Sequence, residues 1–196
     1  RQQLLAATRA SVRIWCYAPG YHEEDRTSTA AMRELTGFQL RQVSVPMAWA
    51  EPTASGRARG LREALGIKQS VRPLFAAADV TSDETLAAYP DGSAAVALRR
   101  TADGASLFVG PPGLTAELLR LAARQAGVHL FTQTDCNVYA NGPYLVLHAA
   151  RDGPLAIDTG RSGPIRDLLS GQVLGQGPKL TLRLNKGETC VLVCGR

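Results

Sequence analysis

A chain of 196 residues with 45% hydrophobic and 20% charged residues has the composition of an ordinary globular protein and is too apolar for disorder. No stretch approaches the roughly 18 apolar residues of a membrane helix, and no secretory signal pattern opens the chain, so a membrane partner is not expected. The net charge of +5 comes from scattered arginines, densest in "GRARGLR" and "LRR"; without a clustered basic footprint, nucleic acid is not an expected partner either.

The opening "RQQLLAATRA" reads as the end of a helix, Gln2 to Arg9, and the absence of a methionine leads us to expect a fragment of a longer polypeptide. The apolar run Val12 to Ala18 is predicted to be a strand that opens into a solvated loop through "PGYHEED". "STAAMRELTG" predicts a short helix with Ser28 or Thr29 as N-cap and Gly37 as its left-handed stop. "FQLRQVSV" alternates like a strand with one wet face. Residues 46–70 mix Gly and Pro, with one helical turn expected at "LREALG". "VRPLFAA", "AAVALRR" and "ASLFVG" predict three strands, the last two joined as a hairpin by Asp103-Gly104. "LTAELLRLAARQAG" is the clearest helix: Leu114, Leu118, Leu121 and Ala122 form its apolar face, Thr115 its cap and Gly127 its end. "VHLF" predicts one more strand. Strands alternating with helices to this point indicate an α/β layer.

After Phe131 no helical period remains. Short strands ("YLVLHAA", "LAIDTG", "IRDLLSG", "KLTLRL", "TCVLVC") follow one another between Gly- and Pro-rich turns, the pattern of a small antiparallel β-sandwich. Two domains are therefore expected, residues 1–131 and 132–196.

Residues able to do chemistry are few. Cys16 lies between Trp15 and Tyr17 inside a predicted strand, where bulky neighbours indicate packing; a nucleophilic cysteine needs a sharp strand-to-helix turn with small flanking residues. The run His22, Glu23, Glu24, Asp25 is expected to be a solvated loop, because consecutive loop residues rarely converge on one metal. His129 and His148 are expected in strands, as core or sheet-face residues. No C-x-x-C pair is present, and Cys190 and Cys194, four residues apart in one strand, stand about 13 Å apart, too far for a disulfide. The turn "FVGPPGLTAE" has the backbone N–H groups of a helix entry but not the spacing of a dinucleotide site. No catalytic residue, metal ligand or cofactor is therefore assigned, and the compartment stays open, with the cytoplasm favoured.

In "IWCYAPGY" with "STAAMRELTGF", "YPDGSAAVALRR", "SLFVGPPGLTAELLRLAARQAGVHLF", "NVYANGPYLVLHAARDGP", "IRDLLSGQVL" and "LTLRLNKGETCVLV", the chain resembles the C-terminal part of large bacterial glycoside hydrolases. The relatives in view are β-galactosidases with a "trimerisation" domain. There, a (β/α)8 barrel carrying the catalytic carboxylates is followed by a glutamine-amidotransferase-like domain and a small β-sandwich. The resemblance implies a flavodoxin-like α/β sheet with flanking helices, incomplete at its N-terminus and without a nucleophile elbow, then the terminal sandwich. It also implies a non-catalytic accessory and oligomerisation module, with the upstream barrel of the same polypeptide, a carbohydrate substrate and further copies of the chain as partners. Two other readings stand beside it. A carbohydrate-binding module would use Trp15, Tyr17, Tyr21 and Trp49 as sugar-contact residues, and Trp15 and Tyr17 share a face by period two. A cysteine-dependent hydrolase would use Cys16.

Overall fold

The computed structural model describes residues 2–7, 11–23, 25–102 and 104–195, with the side chain of Glu23 left aside. Arg9, Glu24 and Asp103, each part of an expectation above, lie outside them. The chain divides into two units, Arg1–Val128 and His129–Arg196.

In the first unit, β1 (Ser11–Cys16) follows α1 (Gln2–Ala7), and β2 (His22–Glu23) pairs with β3 (Arg26–Thr27) in a small hairpin where a loop was expected. Next come α2 (Thr29–Thr36), β4 (Leu40–Gln42), β5 (Ala48–Pro52), α3 (Ala54–Ala58), β6 (Leu65–Ile67) and β7 (Phe75–Ala77). The unit closes with β8 (Thr85–Ala88), β9 (Ala94–Thr101), β10 (Gly104–Val109) and α4 (Ala116–Gln125). The two clear helices follow their sequence signals. Ser28 Oγ accepts the Ala31 N–H at the start of α2, and Gly37 ends it at φ 76°. Thr115 caps α4 through the Leu118 N–H, and Leu118, Leu121 and Ala122 are buried, although Leu114, ahead of the cap, is exposed.

The sheet runs β1-β10-β9-β8-β5-β6, with β7 joining β9 and β4 joining β7. Only β1–β10 is parallel among the described pairings; every other ladder is antiparallel. This corrects the flavodoxin-like expectation. A parallel sheet needs a crossover of a dozen or more residues per strand pair, and the short loops here permit mainly antiparallel neighbours. The runs "AAVAL" and "ASLFV", expected as a hairpin, are the antiparallel pair β9 and β10, and their continuous apolar text reflects burial on both faces. Both faces are indeed covered. Met32 and Leu35 of α2 pack with Trp15, Phe38, Phe75 and Phe108 on one side, and α4 packs with Leu86, Val96, Leu107 and Val109 on the other.

Two local expectations also fail, and one strand was not expected. "LREALG" is not helical; the short helix is α3, capped by Thr53. "VHLF" forms no strand, and only Thr132 makes an isolated bridge, to Ile157. "TLAA" is strand β8, which its short alanine-rich text does not announce.

The second unit is one five-stranded antiparallel sheet. Its strands are β11 (Cys136–Asn141), β12 (Tyr144–Ala149), β13 (Gly153–Asp167), β14 (Val173–Leu184) and β15 (Thr189–Cys194), in the order β11-β12-β15-β13-β14. "LAIDTG" and the first three residues of "IRDLLSG", read as two strands, lie in the single strand β13, whose ladder with β14 breaks register between Asp158 and Gly163; Leu168, Leu169 and Ser170 form the turn that follows. Leu155 and Ile157 before the break share one core with Leu145, Leu147, Ile165 and Leu192. The β content is sandwich-like, built as a single sheet with one core.

Candidate functional site

β1 stops because the chain turns at Tyr17, whose φ is 62°, before Gly20 at φ 71°. The turn ends the two-residue period there. Trp15 faces the α2-side core, whereas Tyr17 packs against the opposite, α4-side core, so the two do not share a face. Trp15 is 9% exposed; its indole N–H donates to Ser106 Oγ (3.0 Å), which donates to the Thr36 carbonyl (2.5 Å). Tyr17 donates to the Pro73 carbonyl at 2.6 Å. Tyr21 meets Phe75 edge-on at 4.8 Å and accepts from Gln42 Nε2. These three aromatics hold structure together, Trp15 buried and Tyr17 and Tyr21 partly so.

Cys16, expected to be buried, is exposed as the last residue of edge strand β1. The burial that remains pushes its thiol up from the ordinary value, away from a thiolate nucleophile. No hydrogen bond joins it to a histidine among the described residues. His22 lies against the Tyr21 ring, and His148 in β12 bonds Thr189 Oγ1 at 2.8 Å. His129, expected in a strand, sits in the segment before β11, its Nε2 2.7 Å from the Asp158 carbonyl oxygen.

Asp79, Asp83, Glu84, Asp91 and Asp167 are tied to cations or hydroxyls. Arg99 Nε donates to Glu84 Oε1 at 2.7 Å, and its Nη1 reaches Asp79 Oδ2 and the Gly37 carbonyl, which pins the 79–84 loop beside α2. The Arg99 hydrogen bond holds Glu84 below the ordinary carboxylate range. Arg59 does the same for Asp83, first by its hydrogen bond and then by its charge. At Asp91 burial works upward, but the two hydrogen bonds from Ser93 outweigh it. Asp167 is held down by Ser170. Each resolved carboxylate shift is thus downward, opposite to what a glycosidase general acid needs.

Trp49 differs from the other aromatics. In β5, Ala48 and Ala50 point into the core, and Trp49 and Glu51 alternate outward. Across the ladder Trp49 meets Gly66, where a side chain is excluded because a Cβ would lie 2.0 Å from the Ala48 carbonyl oxygen at φ 101°. The half-buried indole donates its N–H to Glu51 Oε1 at 2.8 Å, and Lys68 Nζ stands 5.0 Å from the ring centroid. With Pro52, Thr53, Ala88, Tyr89 and Pro90 these two residues line a concave surface of about 410 Å³. Pairing of β5 with β8 brings the 88–90 segment there. The sequence points to Trp49 as an aromatic, with Glu51 two residues on, but gives no sign of Pro90 beside them, because β8 is hard to read as a strand. No group of three or more His, Cys, Asp or Glu among the described residues is placed to hold a metal.

No family model matches the sequence, and no curated protein matches it. Among solved structures, the β-galactosidase from Bacillus circulans sp. alkalophilus is similar in fold, with a TM-score of 0.60 at 17% identity over 97% of this chain. The chain spans 30% of that protein's length.

Proposed function

We propose that this chain is a non-catalytic accessory and assembly part of a β-galactosidase-like glycoside hydrolase, working beside a catalytic barrel carried elsewhere in the same polypeptide. The fold similarity to a β-galactosidase over nearly the whole chain carries the reading. The downward-shifted carboxylates support the non-catalytic half, since none has the apolar pocket that keeps a general acid protonated. The exposed leucines Leu168 and Leu169, with Val173 at the β13–β14 turn, are candidates for burial in the assembly. The test is an assay of purified residues 1–196 on aryl β-galactosides, alongside sedimentation of the chain and of Leu169→Asp. The reading expects no turnover and an assembly that the substitution weakens. Turnover blocked by replacing a residue of this chain would overturn it.

A further inference from the structure

We propose that the concave surface formed by Trp49, Glu51, Tyr89 and Pro90 is a binding subsite for a neutral pyranose sugar. The inference stands independently of the accessory role, because it rests on this surface alone.

Four observations carry it. The indole is fixed in orientation by its hydrogen bond to Glu51, so a ligand meets it without a further ordering cost. Gly66, directly opposite, contributes no side chain against the indole, although the Lys68 ammonium from the same neighbouring segment stands 5.0 Å from the ring centroid. Glu51 uses Oε1 on the indole, and its Oε2 has no protein partner among the described residues, leaving an acceptor at the exposed rim for a hydroxyl donor. A volume of about 410 Å³ falls in the small-ligand range of about 300–1,000 Å³.

Charge decides the ligand class. An aromatic beside a carboxylate also suits a quaternary ammonium ion. Here, however, the Lys68 ammonium already stands over the indole at 5.0 Å and would repel a second cation. An anion would meet Glu51 at the rim. A neutral molecule with an apolar C–H face and several hydroxyls satisfies both constraints. Its C–H face rests on the indole and proline surfaces, and a hydroxyl donates to Glu51 Oε2.

The chain has two tryptophans, so the test is direct: an NMR titration of the indole N–H signals of intact residues 1–196 with galactose, glucose and lactose. Trp49→Phe assigns the two signals. We expect the Trp49 signal to shift saturably at millimolar sugar while the Trp15 signal stays still. Glu51→Gln, at an exposed position outside the core, should weaken binding about tenfold, the loss of a hydrogen bond to a charged acceptor. Choline chloride should leave the Trp49 signal unmoved. The proposal is overturned by an unmoved Trp49 signal at about 100 mM sugar, far above a millimolar Kd. It is equally overturned by sugar affinity unchanged in Glu51→Gln, or by a response to choline without one to sugar.

Discussion

In β9 and β10 of the N-terminal unit, five successive residues are buried, whereas in β12 and β15 of the C-terminal unit burial alternates with every second residue partly exposed. The first sheet carries a core on each face, with α2 and α4 as covers; the second has a single core. How many sides of a sheet are covered sets the sequence pattern of its strands, whether the ladder is parallel or antiparallel. A continuous apolar run therefore reports two covered faces and says nothing of strand direction. The covering also distributes stability. A residue in β10 is held from both sides of the sheet, whereas an outward residue of β12 meets solvent.

The largest effect that tests this comparison is cavity formation in each core. Phe108→Ala should cost about 3–5 kcal/mol and Leu147→Ala about 2–5 kcal/mol, both side chains being fully buried. Amide hydrogen exchange should rise in 11–128 for the first and in 129–195 for the second. If either change loosened both units equally, the contrast between two separately covered sheets would fail.

Ser106→Ala removes the hydroxyl that accepts from the Trp15 indole and donates to the Thr36 carbonyl. Two buried polar groups lose their partner, so a loss of about 1–3 kcal/mol is expected in urea unfolding. Trp15 emission should shift to the red. An unchanged midpoint and spectrum would mean that this face of the sheet is less tightly closed than its burial implies.

Arg99→Leu should cost about 1 kcal/mol, the upper end for a partly exposed ion pair. The pH dependence carries the sign. Glu84 is held below its unfolded value of about 4.3, so the unfolded chain binds more protons across that interval. The contribution is present above the unfolded value and is lost as the pH falls through the lower folded one. The stability difference between wild type and Arg99→Leu should accordingly be constant from pH 6 to 8 and shrink on acidification below about pH 4. A difference that grows there would reverse the assignment.

Thiols give the smallest effect on stability and the sharpest contrast between strand positions. Cys16, exposed at the end of β1, should react with Ellman's reagent well before Cys190 and Cys194, which face the core of the C-terminal unit. Burial, aided by the nearby Asp167 and Glu188 charges, pushes the Cys190 thiol up to about 11, so it is almost wholly protonated at pH 8. Cys16→Ser should change stability by less than about 0.5 kcal/mol. Labelling of Cys190 as fast as Cys16 would show that the C-terminal core opens readily.

Local chemistry is what the sequence itself determined. Ser28 and Gly37 bound α2 and Thr115 starts α4, because caps act on N–H and carbonyl groups within four residues of themselves. The alternation of Leu180, Leu182 and Leu184 marks β14 for the same reason, since the pleat sends every second side chain to one face. Beyond the expected β9–β10 hairpin, tertiary structure alone decided the strand order of the first sheet, the strand state of β8 and the joining of two expected strands into β13. It also decided that Tyr17 leaves the face of Trp15, through a positive φ that no local residue pattern demands, and that Cys16 lies open at a strand end. The Trp49 surface belongs to the same class. Its indole and carboxylate are two residues apart, but its other wall comes from a segment some 40 residues onward in the chain, delivered by the pairing of β5 with β8. Partners that distant are chosen by which apolar faces can be buried together, a property of the assembled sheet that no short stretch of sequence contains.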